Sequence, residues 1–69
     1  MIELTRCRVD MTNPKKTVVT PTKRITFRVD SITAVEEESF ATKVWAGSTF
    51  HYVTEPYEYI VERIKSLRQ

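Results

Sequence analysis

The chain has 69 residues, 41% of them hydrophobic, a formal net charge of +2, and one Cys, one His and one Gly. A domain of this size buries only about 60% of the surface its unfolded chain exposes, so its stability is marginal without help. A lone cysteine excludes an internal disulfide, and with a lone histidine it excludes a closed Cys/His zinc site, which leaves tight packing or association.

The opening "MIELTR" alternates, with Ile2 and Leu4 on one face and Glu3 and Thr5 on the other, and reads as a strand. Cys7 and Val9 have the opposite parity, which a bulge or a two-sided strand would explain. "DMTNPKKT" carries turn chemistry at Asn13–Pro14, and its two lysines keep the tip in water. "TVVT" returns, so residues 6–24 read as a hairpin extension whose second strand ends at Pro21–Thr22. "KRITFRV" alternates again, with Ile25, Phe27 and Val29 on one face. In "DSITAVEEE" the apolar Ile32 and Val35 are three apart, which predicts a bend after Val29 and a short strand over Ile32–Glu37. "EEESF" reads as a polar turn.

"ATKVWA" and "TFHYV" are β-favouring runs joined at Gly47–Ser48, where glycine can take positive φ. The last element is helical: Tyr57, Ile60, Val61, Ile64 and Leu67 form one stripe over 55–68. Thr54 or Glu55 can cap it, Pro56 suits its first turn, and Lys65 and Arg68 lie at the negative end of its dipole. The expected class is α+β over 1–69, a small antiparallel sheet or partly open barrel of about five strands followed by one amphipathic C-terminal helix. Its expected core is Ile25, Phe27, Ile32, Val44, Val53, Ile60, Val61 and Ile64.

The penultimate hairpin is apolar on both faces. Val44 and Trp45 point opposite ways, as do the pair Phe50 and Tyr52 and the pair His51 and Val53. A helix of about fourteen residues spans only about 21 Å and cannot cover both faces. The second face therefore needs either the N-terminal hairpin folded back on it or a second molecule. Exposed apolar patches of several hundred Å² are uncommon on monomers, and burying one Trp removes up to about 250 Å² from water. Trp45, Phe50, His51 and Tyr52 are the expected interface residues, with the hairpin around Val9–Thr20.

Several segments resemble FlbD-type proteins, a family of small proteins encoded with bacterial flagellar genes. "MIELTR" resembles their Met-Ile-x-Leu-Thr-Arg start, and "FRVDSITAVEE" their strand–Asp–x-Ile segment through Phe27, Val29, Asp30, Ile32, Val35 and Glu36. "TKVWAG" resembles their Thr-x-Ile-x-Leu–Gly hairpin, and "YVTEPYEYIVERI" their ending through Val53, Glu55, Glu58 and Ile64. Between Arg6 and Ile25 the chain carries additional residues where the family has a short Leu-Asn-Gly turn, Pro56 replaces a capping Ser, and Trp45, Phe50 and Tyr52 are not typical. The resemblance implies the fold and no catalytic residues. Similar modules occur in small bacterial and phage proteins.

Nothing in the chain spells out a chemistry. His51 lies mid-strand without a local Cys, Asp or Glu partner, and Cys7 is flanked by arginines that a strand points away from it. Glu36–Glu38 reads as a solvated turn, and a Gly-rich phosphate loop is missing. No catalytic, metal or cofactor residues are expected. The charge is divided, however: residues 1–29 carry seven basic and two acidic groups, and residues 30–69 four and seven. If register permits, Arg6, Arg8, Arg24 and Arg28 with Lys15 and Lys16 would form an anion-binding stripe for nucleic acid or a nucleotide.

A free cysteine, no apolar run at the N-terminus and no stretch near eighteen apolar residues point to a cytoplasmic protein without a membrane span. The leading expectation is a non-catalytic binding module that forms homo-oligomers and regulates or inhibits a larger component through protein–protein contacts. The alternative is the anion-binding module.

Overall fold

The computed structural model describes residues 1–13 and 15–68, with the side chain of Asn13 outside that set. Two long alternating segments form β1 (Ile2–Asn13) and β2 (Lys16–Phe27), an antiparallel ribbon. Asn13 pairs with Lys16, and the Pro14 of the expected turn lies outside the described residues. A single 3-10 turn at Val29–Ser31 makes the expected bend, closed by the Ser31 N–H donating to the Arg28 carbonyl at 2.9 Å. Strands β3 (Ile32–Glu37), β4 (Thr42–Ala46) and β5 (Thr49–Val53) form a meander, with Gly47 at φ 68° in the tight β4–β5 turn. Helix α1 (Tyr57–Leu67) ends the chain.

The strands form one open antiparallel sheet in the order β2-β1-β5-β4-β3. The fold is α+β, and the sheet does not close into a barrel. The helix packs on one face, where Ile2, Leu4, Phe27, Ile32, Val44, Val53 and Ile60 form the core, with Ile25, Val35, Ala46 and Ile64 against it. Val61 is half-buried outside this cluster. Ile2 and Leu4, read from the sequence only as one strand face, are among its most buried members at 1% exposure each.

Three local expectations are corrected. The returning strand of the hairpin does not stop at Pro21–Thr22. Cys7 stands across from Pro21 and Arg6 across from Lys23, so Thr22 is an extra residue that lets β2 run on past the proline to Phe27. Pro21 costs no ladder bond to a further strand, since β2 is an edge strand. The helix starts at Tyr57 rather than at 55, and Pro56 is its N-cap, without a side-chain cap hydrogen bond. Strand β3 has the expected bounds Ile32–Glu37, and it is the overlapping turn reading of Glu36–Phe40 that narrows: the turn begins only at Glu38, whose N–H donates to the Ala41 carbonyl.

No helix among the described residues is long and apolar enough to cross a membrane.

Candidate functional site

Register decides which side chains share a face. In the β4–β5 pair, Trp45 stands across from Phe50 and Lys43 across from Tyr52 on the face turned away from the helix. Val44 across from His51, and Thr42 across from Val53, face the core. Strand β3 extends the outer face with Ala34 across from Trp45 and Glu36 across from Lys43.

The outer face is a continuous aromatic surface. Phe50 touches Trp45 and Tyr52 at ring-centroid distances of 5.2 and 5.5 Å, and Phe40 extends the row to Tyr52 at 5.3 Å. These tilted and edge-on geometries suit ring quadrupoles and contribute about 0.5–1.5 kcal/mol per pair beyond area burial. The Lys43 ammonium lies 4.6 Å from the Phe50 centroid and 5.6 Å from those of Trp45 and Tyr52. Such a placement adds about 0.5–1 kcal/mol per contact at an exposed site. The Trp45 indole N–H donates to Glu36 Oε1 at 2.7 Å, which fixes the ring's angle. The surface is thus rigid before anything meets it, yet Phe50 stays 43% exposed and Trp45, Tyr52 and Phe40 are half-buried.

The expected interface set divides. Trp45, Phe50 and Tyr52 come together; His51 does not join them. It lies half-buried on the core face, edge-on to Phe27 at 5.5 Å, with its Nδ1 buried and unpartnered. Alternation along β5 is the physical reason.

The expected arginine stripe does not form. From Ile2 to Arg6 each β1 residue faces one of opposite parity on β2, so Arg6 pairs with Lys23 while Arg24 pairs with Thr5 on the other face. Arg24 instead reaches Glu3 at 3.4 Å in an exposed ion pair of small energetic weight. Arg28 lies beyond the end of β2, and Lys15 and Lys16 sit at the far end of the ribbon.

A second cluster, without a local sequence signal, ties the molecule together. The Glu55 carboxylate accepts from the Thr5 backbone N–H at 2.8 Å and from the Thr5 hydroxyl at 2.9 Å, across fifty positions of sequence. The Thr54 N–H donates to the Thr5 carbonyl at 2.9 Å, and the buried Thr42 hydroxyl donates to the Glu55 carbonyl at 2.7 Å.

Cys7 lies buried on the Thr5 side of β1, and desolvation, then the nearby Glu55 charge, push its thiol above the ordinary value of 9.0. A raised thiol is a poor nucleophile at neutral pH. Alkylation of Cys7 at pH 8 is therefore expected to be slower in the folded protein than in urea-unfolded chain; equal rates would contradict this placement. The unfolded chain releases this proton first, so the thiol's contribution to stability holds below pH 9 and falls as pH rises through the folded-state value.

Among the described residues, no three His, Cys, Asp or Glu side chains gather as a metal-binding group. No family model matches the chain, and no curated protein or solved structure is significantly similar to it.

Proposed function

We propose that the protein is a non-catalytic binding module that self-associates through the aromatic face of β4–β5 and, in that state, regulates or inhibits a larger component by protein–protein contact. The observation that carries this reading is the row Phe40, Trp45, Phe50 and Tyr52, held in one arrangement on the face opposite the helix. Rigid aromatic groups lose little conformational freedom on binding and dominate the energetics of interfaces. The order of the segments shared with FlbD-type proteins supports placing the module among that type as part of the same proposal. Anion binding by the arginines is not proposed, since register places them on two faces.

Trp45 is the chain's one tryptophan, so its fluorescence reports on this face alone. Light scattering coupled to gel filtration should show mass rising with concentration, with a blue shift of Trp45 emission. Trp45→Ala should weaken association about thirtyfold, a hot-spot loss of about 2 kcal/mol, while circular dichroism stays that of a folded chain. A strict monomer at millimolar concentration would refute the reading.

A further inference from the structure

The outer part of the β1–β2 ribbon, beyond the buried Cys7, is paired only within itself among the described residues. Among the described pairings β1 meets β5 at Arg6–Val53, and beyond that point Cys7–Asn13 pairs with β2 residues only. The molecule is correspondingly long, 42 × 20 × 18 Å. A two-stranded ribbon alone is at best marginally stable in water, yet this one is well formed and carries apolar groups. Val9 pairs with Val19, and Met11, two residues on from Val9, is 53% exposed. The arm is stiffened near its tip: the Asp10 carboxylate accepts from the Thr12 N–H at 3.0 Å and from its hydroxyl at 2.8 Å.

We propose that the aromatic face of one subunit receives the β1–β2 arm of a second copy, in a reciprocal exchange about a two-fold axis. This rests on the reading of that face as a self-association surface and names what occupies it. Val9, Met11 and Val19 supply the apolar contact with Trp45, Phe50 and Tyr52. Charge supplies the direction. The arm over 8–20 carries Arg8, Lys15 and Lys16 against the single acid Asp10, whereas the aromatic face is bordered by Glu36 and, at the turn beyond it, Glu38; Glu37, across from Thr42, turns to the core side. Counted with Lys43, which lies over the rings, Glu36 and Glu38 still leave an acidic excess at this border that disfavours a polyanion and favours a basic apolar segment. Side-by-side pairing of two β2 edges is opposed by Lys16, Lys23 and Arg24 meeting their own copies, and by Pro21 and its bulge, the usual devices that keep an edge unpaired.

The test uses full-length chain. Met11→Glu changes an exposed side chain and should leave circular dichroism unaltered, while weakening the dimer about thirtyfold and returning Trp45 emission to its dilute-solution position. Separately, chains bearing Met11→Cys are mixed with chains bearing Ala34→Cys, the exposed neighbour of Trp45 on the same face. A short bis-maleimide should join the mixture into heterodimers much faster than it joins either variant alone; the buried Cys7 reacts slowly in both. Suppose the wild type dimerises and Trp45→Ala weakens it, but Met11→Glu does not and the mixture fails to cross-link. The arm is then the wrong occupant, although the surface reading stands. A wild type that stays monomeric removes both. A shift of Trp45 emission on adding an oligonucleotide at low salt, without one on concentration, also overturns the exchange in favour of a polyanion.

Discussion

Replacing Ile60 with alanine is expected to leave the protein largely unfolded at room temperature. Ile60 is completely buried and is the one fully enclosed residue of α1, set among Leu4, Ile2, Val44 and Val53. Removing such a side chain costs about 2–5 kcal/mol through lost transfer energy and the cavity left behind. A domain this small has a total of only about 5 kcal/mol to lose. The surrounding core cannot collapse easily, because its β-branched residues sit on paired strands. The helix has eleven residues, too short to persist without its apolar stripe docked. Urea titration followed by circular dichroism reads the effect directly. A variant within 1 kcal/mol of wild type would mean that the helix is not the lid of this core.

Glu55→Ala is expected to loosen the β1–β2 ribbon from the rest of the sheet and to cost about 2 kcal/mol, in line with two hydrogen bonds to a charged acceptor, one of which satisfies a backbone N–H. Glu55→Gln keeps one carbonyl oxygen and should cost about half as much. Hydrogen exchange locates the change. The Thr5 amide should lose protection by more than the amides of β4, because Thr5 depends on this carboxylate and β4 on its two strand neighbours. Loss of the Glu55 charge also removes one of the two influences that raise the Cys7 thiol, so Cys7 should alkylate faster in the Ala variant. Uniform loss of protection across the sheet would show that the residue supports global stability instead of this join.

Much of this architecture is written in local pattern. The 3.6-residue spacing of Tyr57, Ile60, Ile64 and Leu67 places α1, and β-favouring runs around Gly47 place β4 and β5 almost to the residue. The two-sided character of that hairpin, Val44 inward and Trp45 outward, is legible as well, because alternation is a purely local rule. What escaped were the facts that depend on how distant strands meet. The register of β1 on β2 separates Arg6 from Arg24, and no inspection of residue parity within one strand can reveal it. Glu55 stands where a helix-capping acid is expected, yet its carboxylate goes to Thr5, a partner fifty positions away. His51 is a different case: the alternation of β5 already separates it from Phe50 and Tyr52, and only its neighbourhood in sequence suggested a shared role. The path of β2 beyond Pro21 was hidden because the residue that accommodates the proline, Thr22, acts through a bulge, with its hydroxyl donating to the Arg6 carbonyl at 3.2 Å.

The narrow meeting of β1 and β5 has a mechanical meaning. The inner half of the ribbon is held by Ile2, Leu4 and Phe27 in the core, by the Arg6–Val53 pairing and by the Thr54 and Glu55 bonds to Thr5, so bending is confined to the part beyond Cys7. With about 3.3 Å of rise per residue, the tip lies about 20 Å beyond Cys7, so a bend of about 10° there would sweep it through about 3.5 Å. The protein therefore carries a slender arm on a firmly held base, and its reach can change only by flexing the arm itself.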